Sequence, residues 1–363
     1  MGANDSFHIA VLAGDGIGPA VMNVALDVLR LIERTTPKLK FHFTEVLAGA
    51  GHYRETGSAL PETTVRLCED ADAILLGACG LPDVRYPDGT EIAPQVELRV
   101  IFDLYAGVRP ARLVPGVPSP IVDAQNHGID LVVLRESTEG LFASMHKGLV
   151  TPEEARETLV ITRKSSQRLF DFASRLALKR QAGGGKGIVH CVDKANIFRA
   201  FAFFREIFDE CAARHADLRA ERIYVDACAA ALVERPWDFD VLVTENMFGD
   251  ILSDLAAGMI GGLGMAPSAD VGDRHAVFQP CHGTAPDIAG KDIANPAAMI
   301  LSAAMMLDWL GEKFNHAAAT EAGRRLEAAV DRAFGSGIMR NQVGRPGATK
   351  ALANGILSAL QNS

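Results

Sequence analysis

Between residues 8 and 13 the chain carries a short apolar run. It ends in Gly-Asp-Gly-Ile-Gly-Pro (14–19) and gives way to Val21, Val24, Ala25, Val28, Leu29 and Ile32 at helical spacing. That pattern predicts a strand, a glycine turn and a helix. Comparable apolar runs at 73–76, 131–134, 188–191, 223–225 and 241–243 alternate with helical patterns such as 196–213 and 320–334. The alternation predicts an α/β fold with much parallel sheet. Residues 181–187, Gln-Ala-Gly-Gly-Gly-Lys-Gly, are too few for an interdomain linker and read as a turn between a helix and a strand. Residues 146–152 follow a strand and a turn-like Glu139-Gly140, and begin an excursion from the sheet.

A chain of 363 residues is long enough to bury a full core in two domains or lobes, and so to be a complete enzyme. Its net charge of −9 argues against a nucleic-acid partner. The longest apolar stretch, 297–307, is too short to span a bilayer. Six cysteines are scattered without a CxxC pair, as suits free thiols, and Met-Gly-Ala-Asn-Asp-Ser at the start has neither the basic end nor the apolar core of a signal peptide. A cytoplasmic enzyme is expected.

The candidate chemistry is led by Asp250 and Asp254, four residues apart in Thr-Glu-Asn-Met-Phe-Gly-Asp-Ile-Leu-Ser-Asp-Leu-Ala (244–256). On a helix both carboxylates share a face, and on so apolar a stretch they call for a cation, either basic side chains or a hard metal. A lone DxxxD also fits two solvated acids on an exposed helix. The surrounding leucines and the glycines that follow favour a cleft and a metal. Gly14-x-Gly-x-Gly is a weak dinucleotide fingerprint, because Pro19 and the spacing fit a tight strand-to-helix turn better. Arg99, Arg109 and Arg135 are each compatible with a surface cation or an ion pair, yet three together suit a di- or tricarboxylate. Lys194 and Asp226 both follow apolar strands, where open α/β sheets place their sites; a strand-end ion pair is the alternative for each. Pro280 to Gly290 forms a loop punctuated by glycine and proline, either an ordinary surface loop or one that wraps a nucleotide with backbone donors.

Taken together, these segments resemble the β-decarboxylating dehydrogenases, the family of isopropylmalate, isocitrate, homoisocitrate, tartrate and D-malate dehydrogenases. The resemblance rests on Asn246-Met-Phe-Gly-Asp-Ile-Leu-Ser-Asp-Leu, Val192-Asp-Lys-Ala-Asn and His282-Gly-Thr-Ala-Pro-Asp-Ile-Ala-Gly, which occur in the family's order. It implies an isopropylmalate dehydrogenase-like two-lobed α/β fold, not a Rossmann fold. The large cofactor lobe would comprise 1–104 plus 261–363, and the dimerisation lobe 105–260 with a protruding arm near 146–165. The glycine turn would lie on the floor of the cofactor cleft.

The resemblance also implies roles. Arg99, Arg109, Arg135 and Lys194 would bind a small hydroxy-dicarboxylate, and Asp226, Asp250 and Asp254 would hold Mg²⁺ or Mn²⁺. Lys194 and Asp226 would come from the partner subunit and act in catalysis, making a homodimer with shared active sites. The cofactor would lie along His282, Gly283, Thr284, Ala285, Pro286, Asp287 and Ile288, with Asn246 and Asn295 close by. Asp287 and Ile288 stand where NADP-dependent relatives tend to carry lysine and tyrosine, which favours NAD. Lys194 would take the proton of the metal-bound hydroxyl as hydride leaves for the nicotinamide, and the resulting β-keto acid would lose CO₂.

Two departures accompany the resemblance. Phe142 occupies the position of the family tyrosine that protonates the enol, so water, Ser144 or His146 would have to donate, or turnover would be impaired, or the substrate is unusual. Ile92, Ala93, Gln95 and Val96 match neither the pattern of isopropylmalate enzymes nor that of isocitrate enzymes. The expected activity is oxidative decarboxylation of a (2R)-malate-type acid, with 3-isopropylmalate the leading candidate. A tartrate, D-malate or isocitrate-type dehydrogenase is the alternative, and a catalytically impaired ligand-binding paralogue an alternative of another class.

Overall fold

The apolar runs become strands, and so do several segments whose charged residues hide them. The strands are β1 (Ser6–Gly14), β2 (Lys40–Glu45), β3 (Ala73–Ala78), β4 (Ala106–Arg112), β5 (Asp130–Glu136), β6 (Leu149–Val150), β7 (Ala155–Arg156), β8 (Ile188–Asp193), β9 (Arg219–Tyr224), β10 (Val241–Thr244), β11 (Pro267–Val271) and β12 (Ala276–Pro280). The helices are α1 (Gly18–Thr35), α2 (Ala50–Thr56), α3 (Glu62–Glu69), α4 (Pro94–Ile101), α5 (Ala124–His127), α6 (Arg163–Ala182), α7 (Arg199–Ala212), α8 (Val225–Glu234), α9 (Asn246–Met259), α10 (Ala297–Lys313), α11 (Ala317–Gly335) and α12 (Ala348–Gln361). This computed structural model describes residues 5–145, 147–337 and 343–362.

Ten strands form one sheet in the order β2-β1-β3-β12-β11-β4-β5-β10-β8-β9. β3 and β10, buried along their whole length, stand inside the sheet. The edges are β2 and β9, whose Lys40, Glu45, Arg219, Glu221 and Arg222 keep them compatible with water and discourage edge pairing. Most pairs are parallel, as the alternation predicts. The centre differs: β11 runs antiparallel to both neighbours, and β4 is antiparallel to β5. Residues before 105 and after 260 supply β2, β1, β3, β12 and β11, whereas residues 105–260 supply the other half of the sheet.

Helix α1 buries Val21, Met22, Ala25, Leu26, Val28, Leu29 and Ile32, and starts with Pro19 where a missing N–H costs nothing. The apolar run 297–307 becomes α10, buried on nearly all sides between α1, α11 and strands β11 and β12. Among the described residues no helix is long and apolar enough to cross a membrane. The run at 223–225 is divided: Tyr224 ends β9, while Val225 opens α8 and puts Asp226 in its first turn. The 149–156 segment is a separate two-stranded hairpin with Leu149 and Val150 exposed.

Candidate active site

The antiparallel centre of the sheet builds the floor of a cavity of about 160 Å³. Arg135 of β5 and Asp270 of β11 both stand opposite Gly107 of β4, so the three positions form one row across the sheet. Gly107 leaves the space their side chains need: a Cβ there would lie 2.5 Å from Ser137 Oγ and 3.2 Å from Asp270 Oδ1. Arg109 and Arg99 of α4 reach the same carboxylate. Arg109 Nη2 donates to Asp270 Oδ1 at 3.0 Å, Arg99 Nε donates to Oδ2 at 3.1 Å, and Gln279 Nε2 donates to Oδ2 at 2.8 Å.

Helix α9 forms the wall. Glu245 caps its N-terminus, accepting from the backbone N–H groups of Phe248 and Met247 at 2.7 and 3.1 Å. Asp250 and Asp254 line the cavity together with Arg99, Arg109 and Arg135, the sequence-predicted set apart from Lys194 and Asp226. Arg135 donates to Asp250 through Nη1 and to Asn246 Oδ1 at 2.7 Å through Nη2. Its Nε and the Nδ2 of Asn246 are buried without a partner, two donors left for a ligand. Burial and the neighbouring Arg99 and Arg109 bring Arg135 down to about 10, against the pull of Asp250. Burial and Asp250 push the Asp254 carboxyl upward. A divalent cation between Asp250 and Asp254 would relieve that repulsion, so the pair fits the metal.

Lys194 and Asp226 do not line this cavity. They pair with each other, Lys194 Nζ donating to Asp226 Oδ1 at 2.5 Å, and this bond holds the largely exposed Asp226 carboxyl below its usual range. Among the described residues no three acids, histidines or cysteines of one chain gather as a metal set, so Asp226 does not complete a three-carboxylate site with Asp250 and Asp254 within the chain.

The glycine turn meets the 282–288 loop directly. Ile17 N donates to Thr284 O at 2.8 Å, and a Cβ on Gly16, at φ 59°, would lie 2.0 Å from that carbonyl. Asp15 pins the turn by accepting from the N–H groups of Ala50, Gly51 and Gly80 at 2.7–2.9 Å. Thr284 is buried, Ala285 adopts φ 36°, Ile288 packs on the core, and Gly283, Pro286 and Asp287 are exposed. His282 and Gly283 carry the loop into the cavity. The His282 Nδ1–H donates to Gly283 O at 2.9 Å, which leaves a buried Nε2 without a partner, and burial lowers its pKa, favouring neutral imidazole. Asn295 Oδ1 accepts from Ala297 N at 3.0 Å and its Nδ2 faces Met265 Sδ, leaving little of this side chain free. A loop carrying an unpaired ring nitrogen beside a tight glycine turn fits a dinucleotide.

Phe142 lies in a short 3-10 turn, Leu141–Ser144, with its ring centre 5.7 Å from the Arg135 guanidinium carbon. It lines a neighbouring groove with Ala93 and Val96, whereas Gln95 lines the arginine cavity. The Ser144 hydroxyl is occupied, bonded to Leu141 O and Glu157 Oε2 at 3.1 and 3.2 Å, and so is a poor substitute proton donor. His146 lies outside the described residues. Asp270 and Gln279 escape the sequence reading: Pro-Ser-Ala-Asp-Val (267–271) carries no apolar run, so nothing local marks Asp270 as a buried carboxylate that requires cations.

Residues 8–356 match the isocitrate/isopropylmalate dehydrogenase family. The 3-isopropylmalate/3-methylmalate dehydrogenase of Methanocaldococcus jannaschii is 42% identical over 93% of both chains. The isocitrate/homoisocitrate dehydrogenase of Thermus thermophilus is 40% identical over 98% of this chain and 99% of its own. The crystal structure of isocitrate dehydrogenase from Methylococcus capsulatus superposes with a TM-score of 0.84 at 34% identity, covering 98% of this chain and 99% of that one. With its mixed sheet and its cluster of arginines and aspartates, the chain belongs to the isocitrate/isopropylmalate dehydrogenase family and is an NAD(P)-dependent β-decarboxylating dehydrogenase.

Proposed function

We propose that the chain oxidises and decarboxylates a (2R)-malate-type 2-hydroxy acid with NAD⁺ and Mg²⁺ or Mn²⁺, 3-isopropylmalate being the leading candidate. The carrying observation is the convergence of Arg99, Arg109 and Arg135 with Asp250 and Asp254 on one cavity that ends at His282 and Gly283. The arginines bind and orient carboxylates, and Asp250 and Asp254 hold the cation. When bound, the metal would acidify the substrate hydroxyl and the nicotinamide would accept hydride. Lys194 takes the hydroxyl proton at its Nζ. Asp287, exposed on the cofactor loop, accepts from ribose hydroxyls and repels a 2′-phosphate, which supports NAD over NADP.

The reading includes a homodimer in which the partner subunit contributes the lysine and the third aspartate. Support comes from the absence of Lys194 and Asp226 from the cavity lining, and from exposed apolar residues near Lys194 in sequence and on α8 and α9: Ile197, Phe198, Val233, Met247 and Ile251. The junction between β11 and β4 supports a division into lobes at 1–104 plus 261–363 and 105–260. The unpaired thiols suit a reducing cytoplasm.

A second reading, a ligand-binding paralogue with impaired turnover, is favoured by Phe142, whose ring donates no proton. Incubation with NAD⁺, Mn²⁺ and, in turn, 3-isopropylmalate, D-malate, tartrate, isocitrate and homoisocitrate tests both. NADH and CO₂ from a malate-type acid support the enzyme. Binding without NADH supports the paralogue, and neither binding nor NADH from any acid defeats both.

A further inference from the structure

The strands that build the floor of the arginine cavity carry a second cavity on their other face. Side chains alternate along β4 and β11. Arg109 and Ser268 line the arginine cavity, whereas Val108, Pro110, Pro267, Ala269 and Val271 line a rear cavity of about 400 Å³. This rear cavity lies where the two halves of the sheet meet. Helix α6 walls one side with Phe172 and Leu176, and α10 the other with Leu301, Met305 and Trp309. Phe278 of β12 and Met265 extend the apolar lining. The charged residues of the lining are engaged with carboxylates of their own surroundings. Lys179 reaches across from α6 to α10, donating to Asp308 Oδ2 at 2.5 Å and pairing with Glu312. Arg180 donates to Asp240 and Asp130 at 2.6 and 3.1 Å, and Arg112 holds Asp331 through two bonds of 2.8 and 2.9 Å. Glu327 of α11 adds a further acid.

We propose that the rear cavity is a second binding site, which takes one uncharged aromatic molecule of one or two rings. Three observations set this class. The volume falls within the ~300–1,000 Å³ of small-molecule sites and is too small for a peptide helix ~10 Å across. Phe172, Phe278 and Trp309 offer ring edges and faces, and Met265 and Met305 adapt to a flat partner. The lining carries four acids, Asp130, Asp308, Glu312 and Glu327, against the three bases Arg112, Lys179 and Arg180, and each base already holds a carboxylate. An anion would therefore meet a surplus of negative charge with no cation to spare, and an ammonium group would have to compete with Lys179 and Arg180 for acids they already bind. The occupant is chemically unlike the acid of the front cavity, so the two faces of one sheet serve two different molecules.

The test is calorimetric titration of the full-length protein, without metal or nucleotide, with indole, indole-3-acetate and tryptamine as probes. Indole is expected to bind once per chain with a Kd below about 1 mM. Indole-3-acetate should bind at least ~10-fold more weakly, and tryptamine no more tightly than indole. Fluorine spectra of protein labelled with 5-fluorotryptophan locate the ligand, because of the two tryptophans only Trp309 lines the cavity. Indole should shift the Trp309 resonance and leave that of Trp237, which stacks on His127, in place. Leu176→Trp on α6 and Met305→Trp on α10 fill the cavity from opposite walls and should each weaken indole at least ~10-fold. The second decides the matter if the first does not fold, and the fluorine shift decides it if neither does. No binding of indole, a shift at Trp237 without one at Trp309, or unchanged affinity in the folded variants overturns the site. Indole-3-acetate binding as tightly as indole, or tryptamine binding more tightly, overturns the ligand class.

Discussion

Gly249 of α9 passes so close to Arg135 of β5 that a Cβ on the glycine would lie 2.6 Å from the arginine Cβ and 2.7 Å from its Cγ. The glycine lets the helix rest on the strand, which brings Asp250 within reach of the arginine. Replacing Gly249 with alanine has to shift α9 or Arg135. We expect Gly249→Ala to lower stability by about 2 kcal/mol and kcat/KM by at least tenfold through displacement of Asp250 and Asp254. Calorimetric unfolding and steady-state kinetics on one preparation check this. Wild-type values for both would mean that helix and strand do not approach as closely as described.

The enol formed after loss of CO₂ needs a proton, and Phe142 has none to give. A general acid supplies roughly 10²–10⁴ in rate where it acts, so water in its place leaves room for improvement. Phe142→Tyr is expected to raise kcat about tenfold with KM for the acid nearly unchanged. An unchanged kcat would show that another group already donates, or that an earlier or later step limits turnover.

The parts of this site that local sequence makes legible are those whose signal lies within one short segment. Asp250 and Asp254 are readable because a helical period and two acids coincide in 246–256, and the 282–288 loop because glycine and proline punctuate it. The floor was not readable. β4 (Ala-Gly-Val-Arg-Pro-Ala-Arg) and β11 (Pro-Ser-Ala-Asp-Val) lack the apolar runs that mark strands, since Arg109 and Asp270 are buried against each other instead of facing water. Their pairing joins residues 160 or more apart in sequence, and only that pairing puts Asp270 against Arg99 and Arg109. At 223–225 periodicity alone cannot separate the end of a strand from the first helical turn, which is where Val225 falls.

Glu136, at the end of β5 beside Arg135, is buried and accepts from Thr138 N and Oγ1 at 2.9 and 2.7 Å. Burial pushes its carboxyl up to about 7, and the bonds from Thr138 and Glu139 only partly oppose this. In the unfolded chain a glutamate titrates near ~4.3. Between these two values the folded protein holds a proton that the unfolded chain has released, so raising the pH through this window destabilises the fold, by up to ~1.4 kcal/mol per pH unit. Glu136→Gln removes that titration. Unfolding temperatures measured from pH 5 to 8 should fall more steeply for wild type than for the variant, and parallel curves would mean that Glu136 is ionised throughout.

Lys194 and Asp226 make the strongest demand on the assembly, because they pair away from the cavity that their roles require them to serve. If each site draws them from the partner subunit, two lesions can be separated by mixing chains. Lys194→Ala and Asp254→Asn should each be inactive as homodimers. In a mixed dimer, one site combines the two lesions and the other has neither. Random pairing makes half of the dimers mixed, with one intact site in each, so co-expression of the two variants should restore about a quarter of wild-type activity. A mixture as inactive as its components would mean that each chain completes its own site, with Lys194 moving to the cavity within the same subunit.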